Sequence, residues 1–236
     1  MRIILTILFL IFFVNTEAQI INARPVYRGV AAAGGCGTCP DTLAKFVFGL
    51  SGHSVSGWTA IVGDPNSGVR SGTSNGISVS TIATGDTYWN DGGIGTAAGL
   101  VSETTANLMF PGATGSGWFF HTSTTAPSGG NMEISGLTVG YTYKIYVRVN
   151  RTDASDNRLS KLAMIDNGGT ETINSINAAP SSSSSGANFN QVTSGGTVVW
   201  FENKTPDSNG KIFLQVSAYT GWTYGYINSL LIIRTA

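Results

Sequence analysis

Charge is scarce in this chain. Only 11% of its 236 residues are Asp, Glu, Lys or Arg, and 13 basic residues balance 13 acidic ones. A chain so poor in positive charge lacks the basic patches that neutralise phosphates, which argues against nucleic acid as a partner. The same shortage argues against electrostatic docking on anionic lipid. Histidine is rarer still, with His53 and His121 alone, and cysteine is confined to Cys36 and Cys39. That inventory argues against a four-ligand zinc site. Long apolar runs are missing too: Ile3–Val14 spans 12 residues, whereas a helix needs roughly 20 to cross a bilayer. Helical patterning is nearly absent. Only Thr96–Leu108 has room for a turn or two, and its Thr and Gly content disfavours even that.

What is present begins with a leader. Met1-Arg2, the apolar run and the polar stretch Asn15-Thr16-Glu17-Ala18 have the layout of a signal peptide cleaved after Ala18. Removal leaves 236 − 18 = 218 residues and takes away Arg2 and Glu17 together, so the net charge stays at zero. The mature chain is therefore expected outside the cytoplasm, secreted or at the cell surface, with no membrane span. Residues 19–42 form an Ala/Gly-rich extension or linker in which Val26–Val30 has the makings of an edge strand. Export makes a local Cys36–Cys39 disulfide the default expectation.

From residue 43 to 236 the texture is uniform and reads as one domain. Short β-rich runs recur between clusters of Gly, Ser, Asn, Asp and Pro. The expected strands are Lys45–Leu50, Trp58–Val62, Ile77–Ile82, Gly117–Thr122, Asn131–Leu137, Thr142–Asn150, Leu159–Asp166, Thr170–Ser175, Thr197–Glu202, Lys211–Ser217 and Ile227–Arg234. Across the sixth and the residue before it, Tyr141, Tyr143, Ile145, Val147 and Val149 alternate onto one face, the period of a half-buried strand. So many short strands in about 190 residues predict an all-β jelly-roll sandwich with little or no helix. The segment Pro180–Gly186, rich in serine, reads as a surface loop within that domain.

Four segments carry a resemblance. Asn131-Met-Glu-Ile-Ser-Gly-Leu-Thr-Val-Gly-Tyr-Thr-Tyr-Lys-Ile-Tyr-Val147 looks like a stretch typical of galactose-binding-like jelly rolls, common as secreted carbohydrate-associated modules of Bacteroidota. Asp156-Asn-Arg158 with Asn167-Gly168, Pro206-Asp-Ser-Asn-Gly-Lys-Ile212 and Tyr224-Gly-Tyr-Ile-Asn-Ser-Leu-Leu-Ile-Ile233 resemble later segments of the same family, in the same order. The likeness covers roughly residues 43–236. It implies a carbohydrate-binding module whose ligand lies against loops at one edge of the sandwich, with an Asn near the last strand in use. The segments also have plain physical readings: Gly140 supplies the positive φ of a turn, and Pro206–Gly210 is a hairpin turn braced by Asp207 and Asn209.

Sugar rings present apolar C–H faces flanked by hydroxyls, so a binding site pairs an aromatic plate with Asn, Asp or Arg. Two segments have that mixture: Trp222, Tyr224, Tyr226 and Asn228 before the last strand, and Trp89, Asn90 and Asp91 in a loop bounded by Gly85 and Gly92-Gly93. Packing is the competing use of each ring. Trp58 and Trp118 lie inside strand-like runs and read as core, and Arg151 and Arg158 as loop braces. Catalysis has the least support. Neither histidine adjoins a nucleophile motif, and Asp64, Asp86, Asp91, Glu103, Asp153, Asp156 and Asp207 show no context that marks a glycosidase pair. A structural calcium ion would suit loop carboxylates, but no D-x-D-x-D pattern assigns its ligands. The expected function is non-catalytic carbohydrate binding. The alternatives are a structural or adhesive surface or phage-associated protein, and an unrecognised polysaccharide hydrolase.

Overall fold

The computed structural model describes residues 41–82, 89–94, 110, 117–121, 130–150, 159–177, 189–192 and 196–235. The leader, residues 19–40 of the extension with Cys36 and Cys39, Thr96–Leu108, the Arg151–Arg158 loop and the 180–186 segment lie outside these residues, as does Asp86, whereas the last two residues of the extension, Asp41 and Thr42, begin the first strand. The chain divides between Gly37 and Thr38, and every described strand belongs to the second unit.

In chain order the strands are β1 (Asp41–Gly49), β2 (Thr59–Val62), β3 (Ser71–Ser74), β4 (Ile77–Thr81), β5 (Trp89–Ile94), β6 (Gly117–His121), β7 (Met132–Ser135) and β8 (Tyr143–Val149). There follow β9 (Leu159–Asp166), β10 (Gly169–Asn177), β11 (Phe189–Val192), β12 (Gly196–Lys204), β13 (Ile212–Ala218), β14 (Gly225–Ile227) and β15 (Ser229–Arg234). A 3-10 turn, Pro65–Ser67, is the sole helical element among the described residues. No described helix is long and apolar enough to cross a membrane.

Two six-stranded sheets make the sandwich: sheet A, in the order β11-β12-β8-β15-β1-β2, and sheet B, in the order β10-β9-β13-β7-β4-β3. All pairings within them are antiparallel except β1 with β2, which run parallel. Alternation explains the layers. Along β8, Tyr143, Ile145, Val147 and Val149 enter one core with Phe46 and Phe48 of β1, Val199 and Phe201 of β12, and Leu230 and Ile232 of β15. Sheet B answers with Val79, Ile134, Leu162, Met164, Leu214 and Val216. Both sheets thus bury one face against the other, the arrangement a period-two pattern dictates.

A third sheet, β14-β6-β5, contributes Trp89, Tyr226 and Ile227 to the same core. Its β14 lies against β8 of sheet A and against β9 and β13 of sheet B. Gly225 is where the approach is tightest: a Cβ there would sit 2.1 Å from the Ser217 carbonyl oxygen. Only glycine lets the two backbones come so close.

One buried amide ties the start of β7 to its neighbour in sheet B. Asn131, fully buried, accepts from the Val216 N–H at 2.8 Å and donates from Nδ2 to the Val216 carbonyl at 2.6 Å. Its own N–H donates to the Leu214 carbonyl at 3.1 Å, and its carbonyl accepts from Ile82 at 2.9 Å. The side chain stands in for a strand where the backbone ladder ends.

Most expected strands are present, with shifts of a few residues at their ends. Five strands depart from the sequence expectation. β5 replaces the loop expected around Trp89, and Ile227–Arg234 is broken into β14 and β15 at Asn228. β3 and β11 are short strands at the ends of their sheets. Tyr141 also differs: it is 41% exposed, outside the strand, with the Arg234 guanidinium 4.9 Å from its ring centre. Gly140 has the expected positive φ, 90°.

His53 lies buried in the turn region after β1, with its N–H donating to Leu50 O. Burial pushes its imidazole below the ordinary value. In the window between that lowered value and about 6.5 the unfolded chain carries the extra proton. This contribution to stability is therefore complete above about pH 6.5 and is lost as pH falls through the window. Melting curves from about pH 7 down to about pH 5 are expected to fall less steeply for His53→Gln than for the wild type. Parallel curves would show that His53 contributes nothing to acid sensitivity.

Candidate functional site

Of the aromatics picked out in the sequence, Trp222 and Tyr224 retain partial exposure. They lie between β13 and β14. Tyr219 to Trp222 forms a β-turn closed by the Trp222 N–H donating to the Tyr219 carbonyl at 2.9 Å, with Gly221 at φ 87°. Tyr219 is itself pinned to Leu159 O at 2.9 Å. Tyr224 rests against the main core and stands 6.4 Å from Tyr226, ring centre to ring centre.

The other members are placed differently. Tyr226 and Asn228 are fully buried and Trp89 is 2% exposed, so none presents a plate to solvent. Trp89 packs edge-on against His121 at 5.4 Å. Asn228 has a structural task at the crossing from the third sheet to sheet A. Its Oδ1 accepts from the Asn150 N–H at 2.5 Å, its N–H donates to Arg148 O, and its carbonyl accepts from Phe48 N–H. An Asn near the last strand is thus present, but all three of these groups are committed inward. Asn90 and Asp91 lie in β5 and Trp118 in β6, with side chains outside the described set.

The two aromatic segments converge in space. Gly225 and Trp89 both pair with His121, and Tyr226 and Asn90 both pair with Phe120. Strand β6 stitches them into one sheet. Strand β6 itself was expected from the sequence as Gly117–Thr122, but its pairing was not: that pairing turned a supposed loop into the ladder of β5 and drew its tryptophan into the core.

Sequence reasoning missed a second aromatic group, on the outer face of sheet A. Trp200 of β12 and Tyr146 of β8 are cross-strand partners, and both point away from the core that their neighbours Val199, Phe201, Ile145 and Val147 fill. Their ring centres are 6.1 Å apart and the planes are inclined by 44°. Phe110 continues the series at 6.4 Å from Tyr146 and 5.6 Å from Trp58. Phe110 is buried, whereas Trp58, Tyr146 and Trp200 are half-exposed. Trp58 thus packs on this outer group and not in the main core.

Lysines flank the rings: Lys45 Nζ is 5.8 Å from the Trp58 centre, and Lys144 Nζ is 5.1 and 5.2 Å from Tyr146 and Trp200. Lys144 also donates to Glu202 Oε1 at 2.6 Å. Burial pulls the Lys144 ammonium down, but Glu202 and Tyr146 outweigh it and the net shift is upward. Bonding to Lys144 holds Glu202 below the usual carboxylate range. On the same face of β8, Arg148 is fully buried, and desolvation lowers its guanidinium to about 10.

The carboxylates considered for catalysis are occupied with turns where they are described. Asp64 accepts from Asn66 N–H and Ser67 Oγ. Asp207 accepts from Asn209 and Lys211 N–H, both at 2.9 Å. Among the described residues no three His, Cys, Asp or Glu side chains gather where an ion would sit.

These observations define an all-β sandwich with aromatic groups reaching the surface at two places, one turn and one sheet face. No family model matches the chain, and no curated protein matches it. Among solved structures it is similar to protein YxiM of Bacillus subtilis, at a TM-score of 0.41 and 13% identity, over 81% of this chain and 39% of that one. The chain therefore spans about two fifths of that protein's length.

Proposed function

We propose that the chain is an exported, non-catalytic carbohydrate-binding module that holds glycans by aromatic stacking and hydroxyl hydrogen bonds. The observation that carries this reading is the Tyr219–Trp222 turn, where Trp222 and Tyr224 keep ring surface in solvent on a charge-poor protein. Stacking on a sugar needs an accessible ring and a rigid seat, and the turn's hydrogen bonds to Tyr219 and Leu159 supply the seat.

Trp222→Ala is expected to weaken glycan retention about tenfold, a loss of about 1.4 kcal/mol, while the melting temperature changes little because the ring is partly exposed on a turn and belongs to neither buried core cluster. Glycan arrays and polysaccharide pull-down with the mature chain measure the first quantity, and thermal melting the second. Undiminished retention by the variant would remove this turn from the site. A wild-type chain that retained no glycan would end the carbohydrate reading.

A further inference from the structure

We propose that Trp200, Tyr146 and the Lys144–Glu202 pair, on the outer face of sheet A, form a second contact site for a neutral polysaccharide chain. The inference rests on the carbohydrate-binding reading and adds to it a separate surface, so that one molecule engages two stretches of glycan.

The geometry has three parts. Two partly exposed rings from neighbouring strands stand 6.1 Å apart with their planes tilted by 44°. Both strands are interior members of sheet A: Tyr146 is paired with Trp200 on one side and Leu231 on the other, and β12 is paired with β11 up to Val199, next to Trp200. At the rim stand an ammonium and a carboxylate 2.6 Å apart, with side chains 24% and 48% exposed. A sugar ring presents an apolar C–H face bordered by hydroxyls that both donate and accept. The rings meet the face, Lys144 donates to a hydroxyl oxygen, and Glu202 accepts from a hydroxyl hydrogen.

The charges select the class of ligand. Lys144 and Glu202 cancel within the site, leaving no surplus for a polyanion, and exposed ion pairs of this kind contribute little stability. Their value lies in offering one strong donor and one strong acceptor to uncharged hydroxyls. Lys144 also lies over both rings at 5.1 and 5.2 Å. A stacking sugar displaces it sideways, and the contact surrendered is a weak, solvent-screened one.

The two surfaces belong to different layers. Trp222 follows β13 of sheet B, whereas Trp200 and Tyr146 lie on the face of sheet A turned away from sheet B. A chain with both sites is bivalent and cross-links long polysaccharides, which a single-site module does not do.

The test compares wild type, Trp200→Ala, Glu202→Ala, Trp222→Ala and the double tryptophan variant. Probes are a neutral β-glucan, xylan, mannan and galactan, with pectate as the acidic arm, and thermal melting monitors folding. Binding is read by depletion on insoluble polysaccharide, and cross-linking by turbidity of soluble polysaccharide. Trp200→Ala is expected to weaken neutral-glycan binding about three- to tenfold and to abolish turbidity. Glu202→Ala, at an exposed position that leaves the core untouched, is expected to weaken it several-fold. Full binding and turbidity in both Trp200→Ala and Glu202→Ala would overturn the second site while leaving the Trp222 reading intact. Loss in Trp200→Ala with no change in Trp222→Ala would support the sheet face and remove the turn. Binding confined to pectate would overturn the neutral ligand.

Discussion

Asn131→Ala is expected to destabilise the domain by about 3–5 kcal/mol, the sum of two buried backbone groups left without partners and a small cavity. The Val216 N–H and carbonyl now bond to the Asn131 side chain at 2.8 and 2.6 Å. Water has no ready access there, because Asn131 and Val216 are both fully buried. For a domain of this size the melting temperature should fall by roughly 6–20 °C. Asn131→Asp gives a sharper readout. It keeps the acceptor for Val216 N–H but faces the Val216 carbonyl with a second oxygen, which is tolerated only if that oxygen carries a proton. The folded state therefore raises this carboxyl's pKa. Stability of the variant should be highest below the unfolded value of about 3.9 and be lost as pH rises through the folded value. A variant whose stability rose with pH over that range would refute the strand-mimicking role.

Gly225→Ala is expected to cost about 3 kcal/mol or more. The new Cβ would lie 2.1 Å from Ser217 O, 2.3 Å from its carbonyl carbon and 2.9 Å from Ala218 N, all backbone atoms of β13. Such atoms cannot swing aside as a side-chain end would, so one strand must lift from the other. Strand β14 carries Tyr226 into the core and begins just after Tyr224. Lifting it disturbs the Trp222 turn, and glycan retention should fall at least as far as in Trp222→Ala. Ser217→Ala in the same background is expected to give no rescue, because the collision is with main chain. Recovery of the melting temperature in that double variant would show the obstruction to be the Ser217 hydroxyl. Unfolding curves and pull-down on the three variants decide the matter.

Much of the fold was legible because period-two alternation is a local property. Leu159–Asp166 agrees with β9 at both ends, and β8 and β13 differ from expectation by a single residue at each end. What failed was polar or short. Ser71–Ser74 has no apolar alternation of its own, yet a hairpin signal lay beside it. Asn75-Gly76, both with positive φ, is the two-residue turn that joins β3 to β4. Trp89–Ile94 carries Asn90, Asp91, Gly92 and Gly93 in succession, so its strand exists only through pairing with β6. Ile94 meets Gly117 at one end of that ladder and Trp89 meets His121 at the other. No local window contains both partners.

The candidate site was legible to a lesser degree for a related reason. Composition marks Trp and Tyr as candidates, but burial decides their use, and burial is set by distant partners. Tyr226 and Trp89 look like loop aromatics until β6 closes the sheet between them. Trp200 and Tyr146 look like ordinary strand residues until β12 and β8 align. Alternation assigned Tyr146 to the face opposite Ile145 and Val147, but not whether that face meets water. On the same face Arg148 is fully buried while Tyr146 is half-exposed.

The place of β15 in sheet A sets a timetable. This strand comes last in chain order among those described, yet it lies between β8 and β1, pairing with both. Until residues 229–234 emerge from the ribosome, β11-β12-β8 and β1-β2 are separate fragments, each with an open edge. Closing the sheet joins the first described strand to the last, the most non-local pairing among the described strands, and such closure is slow relative to local pairing. Vectorial synthesis therefore cannot complete this domain piecemeal.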